Sequence, residues 1–192
     1  KMIKEGTIQE VVRGSSINLE QILLLNVDLV MSSGSGNQYE QSGKMRELGV
    51  SVVLNKEYLE ASPLARSEWL KFVAAFYNLE SAANVFFKQI SKSYHSMAEQ
   101  TSQLQNRPTV FANFPTHGVW YTPGGKSYVA KFLEDAGANY LWADLKVTGS
   151  AQLDFEAVLS RAKDADFWMV PGIHGSLKSM KTTDYRIAQF KA

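Results

Sequence analysis

The sequence predicts an α/β fold of two lobes with parallel sheets, joined by one long α-helix, with both lobes incomplete in this chain. Three observations carry that expectation. Short apolar runs alternate with helical patterns, which is how strands covered on both faces of a parallel sheet read. Residues 64–105 contain neither Gly nor Pro, so one long stretch lacks the usual helix breakers. A weak internal repeat relates Asn18-Leu19-Glu20-Gln21-Ile22-Leu23, followed by Asp28-Leu29-Val30-Met31, to Asp154-Phe155-Glu156-Ala157-Val158-Leu159, followed by Asp166-Phe167-Trp168-Met169. In both copies a cap residue and an apolar residue precede a Glu, and an acidic residue then opens a strand. The two halves read as versions of one lobe.

In chain order, Asn18 caps a helix predicted over 18–26, and Asp28 to Met31 is a buried strand ending in the loop Ser32-Ser33-Gly34-Ser35-Gly36. A helix near 39–48 stops at Gly49, and Val50 to Leu54 is a second buried strand. In the Gly- and Pro-free stretch, Leu79, Ala83, Phe86, Ile90, Tyr94, Met97, Thr101 and Leu104 step by three or four and form one helical face. A helix of about 25 residues there is roughly 37 Å long, enough to span two lobes, although a packed core helix gives the same spacing. After Asn106-Arg107-Pro108 the pattern resumes: strand Thr109 to Phe114, loop 115–125, helix 126–136 and a turn at Gly137. A helix over 155–163 leads to strand Asp166 to Val170 and the loop Pro171 to Gly175. The divisions expected are an N-terminal lobe over 1–62, connecting helices over 63–106 and a C-terminal lobe over 107–192. The opening KMIKEGTIQEVV reads as the middle of a domain and Tyr185 to Ala192 as an unfinished element, so a fragment is expected.

Composition narrows the function. The 192 residues carry 20 Lys and Arg against 19 Asp and Glu, a net charge of +1 with no block of five like charges, which disfavours nucleic acid and anionic membranes as partners. No apolar stretch approaches the ~20 residues of a membrane helix. The absence of cysteine excludes disulfides, Cys-ligated zinc and thiol catalysis, and leaves the compartment open. No G-x-S-x-G elbow or paired catalytic carboxylates occur, so an enzyme is not expected.

Glu20 and Glu156 are the sharpest feature. Each falls at the second position of a predicted helix, where a carboxylate favours the positive end by ~0.3–1 kcal/mol. Their matched places also suit a pair of exposed carboxylates meeting two cations on a partner. Pro123-Gly124-Gly125-Lys126-Ser127 resembles part of a phosphate loop, but G-x-x-x-x-G-K-[ST] needs Gly where this chain has Trp120. Either an anion-binding helix start or a plain glycine turn fits. His95 falls on the long helix, whereas His117 and His174 follow predicted strands, where α/β folds bind ligands. No metal site is expected from this spacing. Aromatic and basic residues gather in the same loops, and Tyr39, Tyr58, Arg66, Trp120, Tyr121, Lys126, Trp142 and His174 are the candidates to line a cleft for a bulky, partly apolar, anionic ligand.

The order Asn18-Leu19-Glu20, Asp28-Leu29-Val30-Met31, Leu48-Gly49-Val50-Ser51-Val52-Val53, a long helix, a Gly-Gly-Lys-Ser loop and Asp135-Ala136-Gly137-Ala138-Asn139 resembles the substrate-binding proteins of ABC importers for iron–siderophore, haem and cobalamin. Ser62-Pro63-Leu64-Ala65-Arg66-Ser67-Glu68-Trp69 and Trp120 to Ser127 add to the resemblance, which covers nearly the whole chain. It implies two Rossmann-like lobes on a stiff helix, a ligand held in the cleft, and no catalysis or resident cofactor. The ligand implied is a ferric chelate, haem or a corrinoid. The partner implied is a membrane permease with its ATPase, whose arginines would meet Glu20 and Glu156. A monomer in the periplasm or another extracytoplasmic space is expected, with room for a lipid anchor on a segment outside this sequence. Two departures from the resemblance stand out: Val27 replaces the usual Pro before the strand-opening Asp, and the first strands of lobe one and the last part of lobe two are expected to lie outside this sequence.

Overall fold

The computed structural model describes residues 5–191 except 7, 14–15, 35, 37–40 and 171–175. They form two compact units, Lys1–Tyr58 and Leu59–Ala192. No helix among the described residues is long and apolar enough to cross a membrane.

In the first unit, β1 (Val12–Arg13) and β2 (Ser16–Ile17) pair antiparallel. Helix α1 (Leu19–Leu24) begins where expected because the Asn18 side chain accepts the Gln21 N–H at 3.0 Å. Strand β3 (Val30–Ser32), helix α2 (Ser42–Glu47) and strand β4 (Val52–Leu54) follow, and the two strands pair in parallel, Val30 opposite Val52. Strand β3 starts two residues later than the apolar run suggests. The Val30 N–H bonds to the Ser51 carbonyl and the Asn55 N–H to the Ser32 carbonyl, so the ladder with β4 sets the ends. The expected burial on both faces is not seen among the described residues: both strands are half-buried at best and Met31 is exposed, since burial of a parallel strand needs a layer packed on each face of the sheet. Among the described residues of this unit, Ile22 and Met45 are the buried hydrophobic ones.

The second unit opens with α3 (Pro63–Ala75), whose Ser62 cap accepts the Ala65 N–H at 3.2 Å and whose first position carries Pro, the residue that loses nothing there. Helix α4 (Glu80–Ser102) is continuous over 23 residues, about 34 Å, and packs against α3, with the Lys71 ammonium 4.2 Å from the centroid of the Phe87 ring. Of its predicted apolar face, Ala83 is buried and Ile90, Tyr94 and Thr101 are half-buried, whereas Phe86 and Met97 are exposed.

Strand β5 (Thr109–Ala112) is central in a parallel sheet. The expected loop over 115–125 is instead largely a hairpin of β6 (Pro115–Thr116) and β7 (Val119–Pro123). Its two turn residues, His117 and Gly118, have φ of +50° and +80°, the positive pair that a type I′ turn needs. Helix α5 (Tyr128–Asp135) ends at Gly137, whose φ of +80° favours glycine. Strand β8 (Asn139–Tyr140) flanks β5 in parallel, and β9 (Ser150–Leu153) joins β7 antiparallel. Helix α6 (Phe155–Ala162) leads to β10 (Phe167–Met169), which closes the other side of β5. Helix α7 (Leu177–Thr183) and a 3-10 turn (Tyr185–Gln189) follow, and Ile187 and Phe190 reach the core. The segment read as unfinished thus closes an aromatic cluster in which Phe190 lies 5.1 Å from Phe111 and 5.2 Å from Trp168, centroid to centroid.

Candidate functional site

Glu20 and Glu156 stand in equivalent local settings. Asp154 caps α6 by accepting the Ala157 N–H at 2.6 Å, as Asn18 caps α1. In each helix the preceding apolar residue is covered, half-buried Leu19 or buried Phe155, while the Glu is exposed. Neither carboxylate takes part in a hydrogen bond or ion pair among the described residues. Both are therefore anions at a helix start with their charge unneutralised by a neighbouring salt bridge. Beside Glu20 the first unit has a groove of about 770 Å³ whose lining includes Glu10, Ile17, Lys44 and Leu48.

The candidate ligand residues divide into three groups. Tyr39 and His174 lie outside the described residues. Tyr58 and Tyr121 are exposed, as is Lys126, and Arg66 is half-buried with its guanidinium 4.2 Å from the centroid of the Tyr128 ring, which joins α3 to α5. Trp120 and Trp142 require correction, because both are core residues. On β7 the side chains alternate, so Tyr121 points outward while Trp120 is fully buried, its indole N–H donating to the Ala112 carbonyl at 2.9 Å. Trp142 sits just past β8, but it is 3% exposed and Arg161 of α6 lies over its ring at 5.5 Å. Position near a strand end suggested a loop aromatic in both cases; the packing of a second layer over that end overrides it.

The glycine loop before α5 is also settled by packing. The N–H groups of Gly124, Gly125 and Lys126 donate to the carbonyls of Gly149, Leu145 and Val147 at 2.7, 2.8 and 3.0 Å, and Ser127 caps the helix through Ala130 N–H at 3.2 Å. A Cβ at Gly124 would run into the Val147 carbonyl, and one at Gly125 into that of Ala143. These glycines admit a crossing backbone, and the amides a phosphate loop would present are already used. Lys126 nevertheless lines a groove of about 720 Å³ with Arg107, Lys131, Glu134 and Asn139. Arg107 was not foreseen, since Asn106-Arg107-Pro108 reads as a breaker; its charge next to Pro is the one available signal.

Behind this groove, Tyr140 donates to the Pro123 carbonyl at 2.6 Å and lies 3.0 Å from the Thr122 hydroxyl; burial pushes its phenol up to about 12. His95 turns back on its own helix, Nδ1 to the Ser91 carbonyl at 2.7 Å, and His117 occupies the hairpin turn. Among the described residues, no three His, Asp or Glu side chains gather as they would around a metal ion.

The profile of the family described as periplasmic binding protein matches residues 2–192. An uncharacterized lipoprotein of Methanocaldococcus jannaschii is 34% identical over 195 residues, covering 100% of this chain and 46% of that protein. A second uncharacterized lipoprotein of that organism is 26% identical, with 51% of its length covered. The chain thus spans about half the length of the curated relatives it matches. Among solved structures, the periplasmic haem-binding protein HutB of Vibrio cholerae superposes with a TM-score of 0.73 at 14% identity, over 97% of this chain and 72% of that one. The periplasmic vitamin B12-binding protein BtuF of the same organism gives 0.64 at 18% identity, over 98% and 70%. These likenesses establish a shared two-lobe α/β fold, and with the full-length profile match they place this chain in the periplasmic binding protein family, whose members are substrate-binding proteins and not enzymes.

Proposed function

We propose that this chain belongs to the substrate-binding component of an ABC importer, which captures an iron chelate, a siderophore complex or haem, and hands it to a membrane permease driven by its ATPase. The observation that carries the reading beyond the family is the matched pair Glu20 and Glu156, each exposed at a capped helix start and without an ion pair among the described residues. Two such carboxylates suit arginines on a permease, where charge complementarity sets encounter and register. The protein works as a monomer outside the cytoplasm, and a lipid anchor is consistent with the lipoprotein names of its relatives. Ligand contact falls to the exposed or half-buried members of the candidate set, Tyr58, Arg66, Tyr121 and Lys126, together with Tyr39 and His174. Basic and aromatic groups of this kind suit an anionic chelate with apolar surface.

Native mass spectrometry and visible absorption of the full-length protein, after incubation with ferric siderophores, haem and cobalamin, test the reading. A retained ferric chelate or haem with its shifted spectrum supports it. Retention of cobalamin alone moves the protein to corrinoid uptake within the same family. Retention of none, in a protein with no permease or ATPase encoded beside it, favours a ligand-sensing module without transport.

A further inference from the structure

The geometry points to Asp184 as a positioning residue that holds Arg186 off Glu156 and so leaves that carboxylate available to a cation on a partner. The inference rests on the reading of Glu156 as a docking group. Arg186 lies beside the start of α6: its guanidinium is 4.2 Å from the centroid of the Phe155 ring, and Phe155 immediately precedes Glu156. Glu156 is close enough to contribute to the field at that guanidinium, yet it has no ion pair among the described residues. Asp184 explains why. Its carboxylate accepts Arg186 Nε at 3.0 Å and Nη2 at 2.7 Å, a bidentate fork, and also the Arg186 backbone N–H at 3.0 Å. A planar guanidinium engaged edge-on in this way and stacked on an aromatic face has little freedom to turn toward a second carboxylate.

The electrostatics agree. Arg186 holds the Asp184 carboxyl below the usual carboxylate range, and Arg186 itself is raised, first by Asp184 and more weakly by the fields of Tyr185 and Glu156. Asp184 is the more enclosed partner, with its side chain 16% exposed against 32% for Arg186. Glu156 thus lies within the field of the guanidinium without being paired to it. If Asp184 loses its charge, Glu156 is the other carboxylate whose field reaches the guanidinium, and the one we infer it turns to. The 3-10 turn would then switch from supporting the docking helix to neutralising its anion.

The test compares full-length native protein with D184N, D184E, R186Q and D184N/R186Q for binding to the permease–ATPase complex encoded with it, held in nanodiscs, alongside a crystal structure of D184N. Asn still caps the 3-10 turn, so D184N removes the charge and keeps the local fold. D184N is expected to place the guanidinium within ~4 Å of Glu156 and to bind the permease about two- to fivefold more weakly, the range that an exposed ion pair spans. D184E and D184N/R186Q are expected to bind at the native level, a rescue by charge that a folding defect would not give. A D184N structure with Arg186 still away from Glu156, or a double variant no better than D184N, overturns the inference. R186Q leaves the cap untouched, and weaker docking by it alone also overturns the inference. E156Q with undiminished docking overturns the docking reading instead, while the D184N structure still judges the pairing on its own.

Discussion

The indole N–H of Trp120 donates to the carbonyl of Ala112 at 2.9 Å, and that bond ties the antiparallel sheet to the parallel one. The ring also lies 5.7 Å from both Trp168 and Phe190 and 6.2 Å from Phe155, centroid to centroid. One side chain therefore joins β7 to β5, β10, α6 and the end of the chain.

Trp120→Ala is accordingly expected to destabilise the second unit by about 3–5 kcal/mol, the cost of emptying a large core site. Trp120→Phe should lose less, retaining the ring contacts but leaving the Ala112 carbonyl without its donor. Denaturant melts of the full-length variants measure both. A Trp120→Ala protein with native stability and weakened ligand binding would return this residue to the ligand surface.

Gly125→Ala should cost about 1–3 kcal/mol or more, because the added methyl meets the backbone at Ala143 and not a movable side chain. Circular dichroism melts check this. Gly118→Ala, where the space is open, should lose stability only through its positive φ.

Charge reversal at both docking candidates, Glu20→Arg with Glu156→Arg, should abolish transport in reconstituted vesicles and leave ligand affinity within twofold of native. The side chains are exposed, so the thermal midpoint is expected to move little. Equal loss of ligand binding and transport would show that the carboxylates serve the ligand and not the permease.

The buried phenol of Tyr140 sets an alkaline limit. Its folded value is raised from 10.0 to about 12, so between those values the unfolded chain loses a proton that the folded chain keeps. The folded state then binds more protons than the unfolded state, and stability falls as pH rises through that window; below pH 10 the contribution is fully present. Tyr140→Phe should flatten this part of a stability–pH profile measured by urea unfolding.

Local patterns in the sequence were enough to place α1, α4, α5 and α6 and to predict that the strands they alternate with pair in parallel. Capping by Asn18, Ser62, Ser127 and Asp154 acts within three residues, and the Gly- and Pro-free stretch yields α4 as one uninterrupted helix. The pairing of Glu20 with Glu156 as equivalent positions was likewise legible, since a repeat in sequence is a repeat in local structure. Tertiary structure alone decided what each loop does. The hairpin at His117-Gly118 needed a non-glycine residue at positive φ, which composition does not announce. Gly124 and Gly125 looked like a ligand loop until the 143–149 backbone took their space and their amides. Trp120 and Trp142 sit near strand ends like surface aromatics, yet Trp120 is covered by Phe155 and Phe190 and Trp142 by Arg161, residues 19–70 positions away. A residue's type and its neighbours along the chain determine its local geometry; whether it meets solvent is fixed by what the rest of the chain lays over it.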